Sequence, residues 1–505
     1  MIPRRGFLGG LSAFAALGIR MDDAFAVSSS EIDGFGALRL SFGAFSDLHV
    51  ASPAELPKVE KALRYFDSRN ADAVLCSGDI ADFGLAQQLK LVGELWKKVF
   101  PDGRGSDGRP VVNLMHYGDH DLSVSYANHP MAKKQWPDDV ARRAGLIYTG
   151  DRGAIWKDAF GQDEPWAALV LKTVKGYPFV LSHFTRGEPG NRTGDNVPGL
   201  EEFLRQKAGE FDPKKPLFYS QHRIPRLTAG GKEVYGQDDG TVGRILSQYP
   251  NAVAFCGHCH LCAANERAIW QGAFTCIQVP GHRYCCSEEI GVENGYASAD
   301  KWQKGPVKTM RACPGNSAGQ LLFCRVYDRA LVIERLEVSG KSVNHMGDDW
   351  VVPFSSFDLP AAKRPFNHDR RAQTLPPSVF PGNAKVTVDC VKDKDRANVL
   401  CEFFRVSFRA AAKCGDNPRG HKYAVLMQTR KDGAVCDAMT RLVYPNLYYY
   451  GDAADRRDVS AYFRRSEVED GLEHRFLATP LNGMGRAGGT IVSEWGRFNW
   501  KKESK

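Results

Sequence analysis

Residues 251–262 read NAVAFCGHCHLC. An apolar run that ends in glycine and polar residues is how a buried strand delivers a loop. The loop packs Cys256, His258, Cys259, His260 and Cys262 into seven positions. Cys-x-x-Cys beside imidazole is a familiar zinc arrangement, so the spacing allows a zinc knuckle. It equally allows a pair of histidines that serve a site shared with other loops. The choice depends on how the other strands end.

They end in the same way. ALRLSFGAFSD (37–47) and ADAVLCSGD (71–79) read as buried strands followed by acid-bearing loops, and RPVVNLMHYGDHD (109–121) and PLFYSQH (216–222) repeat the pattern. Between the first two, PAELPKVEKALRYFDSR (53–69) has helical spacing, with Val59, Leu63 and Phe66 on one face. Strands separated by helices predict an α/β domain whose ligands sit at the strand carboxyl ends.

The residues delivered there share one chemistry. They are Asp47 and His49, then Gly78-Asp79, then Asp119 and His120, then His222, then His258 and His260. Mixed carboxylate and imidazole suits Mn, Fe or Zn better than Mg or Ca. Leaving His120 aside, three carboxylates and four histidines suit two ions that share a bridging carboxylate about 3.5–4 Å from one to the other. Taken singly, each piece is an ordinary turn, cap or satisfied histidine. Five in this order, each behind an apolar strand, are not.

The series Asp47-x-His49, Gly78-Asp79-x-x-Asp82, Gly118-Asp119-His120-Asp121, His222 and Gly257-His258-x-His260 resembles the calcineurin-like metallophosphoesterase family. The resemblance implies a four-layer α/β/β/α sandwich over residues 37–345. It also implies two transition metals (Mn, Fe or Zn), the first held by Asp47, His49 and His260 and the second by Asp119, His222 and His258, with Asp79 bridging. His120 would act on the phosphate or the leaving oxygen, positioned by a nearby acid such as Asp47. The implied reaction is hydrolysis of phosphate mono- or diesters by a hydroxide that the two metals activate. One departure and one comparison stand out. Asp119 occupies a position where the family usually has Asn, which adds negative charge beside the phosphate. Asp82 stands where purple acid phosphatases carry a tyrosine ligand. On this reading the histidines of 256–262 belong to the dinuclear site, Cys259 projects away, and Cys256 and Cys262 pack in the core. His183, Arg186, Arg223, His282 and Arg283 lie in loops near the motif strands and are candidates for contact with substrate.

The rest of the chain frames this domain. At 505 residues, 43% hydrophobic and 25% charged, it is long enough for two or three domains and too apolar for global disorder. Residues 1–26 have the layout of a twin-arginine-type signal peptide: Arg4-Arg5, an apolar run from Phe7 to Ile19, and a small-x-small site at Ala24–Ala26. This predicts export to the bacterial periplasm, and no later segment is apolar enough to cross a membrane as a helix. AGQLLFCRVYDRALVIERLEVSG reads as two strands joined near Asp328-Arg329, closing the domain near residue 345. Residues 358–382 are rich in Pro and Arg and read as a linker. The alternation in 383–500 predicts a small C-terminal β-sandwich with a turn at Lys431-Asp432-Gly433.

Residues 361–505 carry 26 Lys+Arg against 17 Asp+Glu, whereas the remainder is nearly neutral. This points to contact with an anionic polymer or surface, or to a solvated face. All 13 Cys follow the signal, and Cys390, Cys401, Cys414 and Cys436 offer two bridges in three pairings. Two alternatives to an exported phosphoesterase remain open. One is a surface or binding protein that keeps the fold without catalysis. The other is a nucleotidase whose second domain holds the base, for which YPNLYYYGD (444–452) offers aromatics.

Overall fold

The computed structural model describes residues 28–122, 152–164, 169–185, 199–231, 234, 236–285, 319–338, 342–394, 400–411, 418–445, 458–467 and 471–497. The signal-like residues 1–26, Arg186, Cys414 and most of the 444–452 stretch lie outside them. The chain is mixed α/β with several sheets and divides into two compact units. The first comprises residues 1–263, 268–285 and 316–367.

Nine strands of this unit come first in the chain. They are β1 (Leu38–Phe45), β2 (Ala73–Ser77), β3 (Val112–His116), β4 (Val170–Val174), β5 (Tyr177–Leu181), β6 (Leu217–Gln221), β7 (Ala252–Cys256), β8 (Ile269–Gln271) and β9 (Thr275–Gln278). The pair β10 (Gln320–Tyr327) and β11 (Ala330–Glu337) follows, then β12 (Asn344–His345) and β13 (Trp350–Pro353). One sheet runs β12-β11-β10-β1-β2-β3, with β13 also on β11, and the other runs β4-β5-β6-β7-β9-β8. Within them β1, β2 and β3 are parallel, as are β5, β6, β7 and β9. Parallel strands are covered on both faces, which explains why β2, β6 and β7 are buried at every position.

Helices α1 (Leu56–Ser68), α2 (Ala86–Val99) and α3 (Arg152–Phe160) share one apolar cluster with the first sheet. Val59, Leu63 and Phe66 of α1 lie in it, beside Trp96 and Trp156. Helices α4 (Leu200–Gln206) and α5 (Thr241–Leu246) share another cluster with the second sheet. Phe42 of β1 meets Phe179, Phe218 and Phe255 of the second sheet edge-on, at centroid distances of 5.3–5.6 Å. Such contacts add about 0.5–1.5 kcal/mol each beyond burial.

The first unit continues past residue 345. β13 pairs with β11, and the following turns carry Arg364 into the interior, where its guanidinium donates to the carbonyls of Leu359, Phe357, Ala273 and Pro250. Helix α6 (His368–Thr374) follows in the second unit, where Ser378 and Phe380 are buried. Within the Pro- and Arg-rich stretch 358–382, Arg364, Ser378 and Phe380 are buried and the other positions are exposed or half-buried.

The second unit holds two antiparallel sheets. β14 (Thr387–Lys394), β15 (Leu400–Arg409) and β18 (Asp458–Arg464) form one. β16 (Lys422–Lys431), β17 (Ala434–Val443), β19 (Glu473–Leu481) and β20 (Ile491–Val492) form the other. β19 alternates buried and half-buried at every position, the pattern of a strand with one face in a core. Phe404, Val406 and Phe463 from one sheet cluster with Tyr423, Val425 and Phe476 from the other. β16 and β17 join through Asp432 and Gly433, both at positive φ, as a two-residue hairpin turn requires. Cys390 and Cys436 are free thiols, so two bridges among Cys390, Cys401, Cys414 and Cys436 do not form. No helix among the described residues is long and apolar enough to cross a membrane.

Candidate metal centre

Six loops leave the carboxyl ends of β1, β2, β3, β6, β7 and β9 on the first unit, and hydrogen bonds between backbones lace them together. Asp47 N donates to Gly78 O at 3.0 Å, His49 N to Asp79 O at 2.9 Å, and Gly257 N to His222 O at 2.7 Å. The loops come this close because glycine stands at the crossings. A Cβ on Gly118 would collide with the Asp79 carboxylate and backbone, and one on Gly257 with Ser46 and the Ser77 carbonyl.

Two side-chain groups result. Asp79, Asp119, His222 and His258 form one, and Asp47, His49 and His260 the other, with ligand atoms inside each group within 4.8 Å of one another. A third overlapping group joins His49, Asp79 and His120. All seven residues expected to bind metal thus meet here, largely buried. Asp47, His49, Asp79, His258 and His260 have φ between 43° and 71°, in the left-handed region that side chains other than glycine rarely adopt. Backbone held there costs on the order of 1–3 kcal/mol per residue and concentrates at functional sites.

The outer partners of the histidines fix which ring nitrogen faces inward. His49 Nδ1 donates to Asp82 Oδ1 (3.1 Å), His222 Nδ1 to Ser77 O (2.7 Å) and His260 Nδ1 to Tyr284 O (3.2 Å). In the neutral rings each Nε2 is then a lone pair. His49 Nε2 lies 3.2 Å from His260 Nε2, and His222 Nε2 lies 2.9 Å from Asp119 Oδ1. Asp79 Oδ2 is buried without a hydrogen bond, 3.6 Å from His49 Nε2. Ring nitrogens and carboxylate oxygens facing one another this closely must share protons or metal ions between them. The donor set therefore fits metal ions, with the outer-partner pattern typical of histidine ligands.

Where no ion is bound, the same carboxylates draw protons onto the rings. Burial opposes charge on Asp47, yet neighbouring His260 holds its carboxyl below the usual range. Burial likewise opposes charge on Asp119, and His258 and His222 hold its carboxyl low. His260 is pushed up against burial by Asp47, and His222 by Asp79. Asp121 is different. Burial, then the charge of Asp79, pushes its carboxyl up to about 7, while it accepts from the amides of Gly118, Ile80 and Ala81. It ties the loop of Asp79 to the loop of Asp119.

Several expectations change here. Asp47 does not orient His120. Its carboxylate accepts from His258 N and faces His260 Nε2 at 3.2 Å, whereas His120 Nδ1 donates to the Asp82 carbonyl at 2.7 Å. His183 is buried, with Nδ1 accepting from Tyr117 N and Nε2 facing Glu164, so it does not offer itself to substrate. The buried ring of His282 faces the carbonyls of Gln320 and Lys58. Arg283 pairs with Asp82 at 2.7 Å. Arg223 lies 3.9 Å from Asp119 Oδ2, where it offsets part of the extra charge on Asp119. Cys256, Cys259 and Cys262 are all buried, and no metal-like group among the described residues includes a cysteine. The histidines of 256–262 go to the shared site.

Residues 40–262 match the family model of calcineurin-like phosphoesterases. Solved structures also align. A dimetal phosphatase from Danio rerio does so at 10% identity, covering 63% of this chain and 100% of that one, with a TM-score of 0.36. GAP50, the anchor in the inner membrane complex of Plasmodium, aligns at 10% identity over 68% and 98%, with a TM-score of 0.33. Vacuolar Protein Sorting 29 from Cryptosporidium parvum aligns at 8% identity over 63% and 100%, with a TM-score of 0.28. No curated protein matches the sequence.

Proposed function

We propose that this chain is a metal-dependent phosphoesterase that hydrolyses phosphate mono- or diesters at the joined loops of its first unit. The reading includes a four-layer α/β/β/α sandwich for that unit and a β-sandwich for the second. One ion is held by Asp47, His49 and His260 and the other by Asp119, His222 and His258, with Asp79 between them. The observation that carries it is the inward-facing Nε2 of His49, His222 and His260 beside buried carboxylates.

Two transition metals in such a site supply Lewis acidity toward the phosphoryl group and a nucleophilic water at neutral pH. The chain's own residues do the rest. Asp82 and the Ser77 and Tyr284 carbonyls hold the rings in the binding tautomer. Arg223 brings positive charge to the Asp119 side, where a phosphate would approach. His120, with Nδ1 committed to the Asp82 carbonyl, presents Nε2 as its proton-transfer atom toward the leaving oxygen.

The test combines metal analysis of purified protein with hydrolysis of nitrophenyl phosphate and of bis-nitrophenyl phosphate. About two equivalents of Mn, Fe or Zn are expected, with turnover of at least one ester. Asp79→Asn should lose metal and turnover together. Native-rate hydrolysis by that variant would sink the dinuclear reading, and a protein that takes up no metal would sink the function.

Two further parts of the proposal concern the ends of the chain. Residues 1–26 are read as a twin-arginine-type export signal to the periplasm, so Arg4→Lys with Arg5→Lys should retain precursor in the cytoplasm. Normal export of that variant would remove this part. The basic excess of residues 361–505 supports contact with an anionic polymer or surface. Retention on immobilised heparin that falls steeply with salt is expected, and salt-independent passage would count against it.

A further inference from the structure

Shortly after β9, residues Gly281 to Cys285 read GHRYC. They touch the site without supplying any of the seven proposed ligands. His282 N donates to Ser46 O at 2.8 Å and Arg283 N to Asp47 O at 3.2 Å, which fixes the backbone around Asp47. Arg283 Nη1 donates to the His49 carbonyl at 2.6 Å and to Asp82 Oδ2 at 2.7 Å. The other oxygen of Asp82 accepts from His49 Nδ1. One guanidinium therefore holds both the backbone of His49 and the acid that sets its tautomer. Tyr284 completes the set. Its carbonyl accepts from His260 Nδ1, and its ring stacks on His260 at 4.1 Å and 22°.

These contacts converge on Asp47, His49 and His260, one of the two metal-like groups. The outer partners of the other group come from elsewhere. His222 Nδ1 donates to Ser77 O, and Arg223 approaches Asp119. Lys58 Nζ donates to the Arg283 carbonyl at 3.0 Å, and Cys285 Sγ to the Gly281 carbonyl at 3.2 Å, so the segment is itself tied down.

We infer that residues 281–285 brace one ion position selectively, with Arg283 as the positioning residue that sets the affinity of the Asp47–His49–His260 position independently of its neighbour. The inference rests on the dinuclear reading above and adds an asymmetry to it. Arg suits the role because its planar fork reaches a carboxylate and a carbonyl together, which a Lys ammonium on a flexible stem does less well. Loss of such an outer partner typically weakens metal binding about 10–100-fold.

The experiment is Mn²⁺ titration of the full chain after chelator treatment, read by calorimetry and by the electron paramagnetic resonance of the bound ions. Wild type should bind two equivalents and show a spin-coupled pair. Arg283→Gln should keep one equivalent at native affinity, bind the second about 10–100-fold more weakly, and give an isolated-ion spectrum at one equivalent. Arg283→Lys should recover part of the loss. Tyr284→Leu, which keeps the carbonyl but removes the stack, should weaken the same equivalent less, and it provides a second reading if Arg283→Gln fails to fold. Two native-affinity equivalents in both Arg283→Gln and Tyr284→Leu would overturn the inference, and so would equal weakening of both equivalents. A wild-type protein that binds fewer than two ions would instead overturn the dinuclear reading on which it rests.

Discussion

The Nε2 atoms of His49 and His260 face each other at 3.2 Å, and in each ring the outer hydrogen bond places the proton on Nδ1. Two nitrogens at that distance can hold only one proton between them, and with the nearby Asp47 and Asp79 carboxylates unneutralised charge remains in conflict. Bound cations remove that conflict in the folded state only. Chelation should therefore destabilise the protein. Metal present at about 100 times its dissociation constant contributes roughly 2.7 kcal/mol. At about 1–2 °C per kcal/mol for a unit of this size, the expected fall in Tm is roughly 3–5 °C, reversed by added Mn²⁺. A melting curve indifferent to EDTA and to Mn²⁺ at pH 7.5 would show that the rings face each other for another reason.

Much of this site was legible in the sequence because its signal is local. An apolar run followed by Asp-x-His or Gly-His-x-His states both the strand and what its end carries, and Asp47, Asp79, Asp119, His222 and His258 all read that way. The parts that were not legible depend on distance in space. Asp82 sits inside a quoted motif, yet its partners are His49 and Arg283, and only folding brings Arg283 to it. The left-handed backbone of five of the proposed ligands leaves no mark in residue type, since His and Asp also occur in ordinary loops. Arg364 lies in a stretch that reads as a linker by composition, because sequence does not reveal the four carbonyls that accept from its buried guanidinium.

Asp121 is expected to matter for stability more than for chemistry. It is buried and accepts from three backbone amides on two different loops. Asp121→Ala leaves those donors without their acceptor, at about 1–3 kcal/mol for each one that water does not reach. A loss of about 3 kcal/mol or more in urea unfolding of the apo protein is expected. Asp121→Asn, which keeps one acceptor oxygen and removes repulsion with Asp79, should cost less. An Asp121→Ala protein within 0.5 kcal/mol of wild type, on the order of a neutral surface change, would show that the loops do not depend on this carboxyl.

Lys58 gives a stability slope with pH whose sign can be worked out. Burial, chiefly, lowers it to about 8 from 10.5. Below pH 8 both states hold the proton, and the cost of burying the charge is present in full. Between about pH 8 and 10.5 the folded state releases the proton while the unfolded state keeps it, so this group makes stability rise with pH. Lys58→Met removes that contribution. The difference in unfolding free energy, Lys58→Met minus wild type, should therefore shrink as pH rises from 8 to 10. A difference that stays constant across that window would mean that Lys58 keeps its ordinary affinity for the proton in the fold.

His120 separates chemistry from metal binding. Its ring meets His49 edge-on at 4.3 Å, and it joins a group with His49 and Asp79, so a ligand role is the alternative to be excluded. Its Nδ1, however, is committed to the Asp82 carbonyl, and on the proposed reading Nε2 is the atom that exchanges a proton with the leaving oxygen. On that assignment His120→Ala keeps close to its full metal content and lowers turnover by about 10²–10⁴-fold, the range of general acid–base work. The loss should be greatest for alkyl phosphates, whose alkoxide leaves poorly without a proton, and smallest for nitrophenyl esters, whose leaving group needs little help. Equal losses on both ester classes would assign His120 to orienting the phosphate. A variant that loses an equivalent of metal would make it a ligand. Unchanged turnover on both would remove it from the reaction.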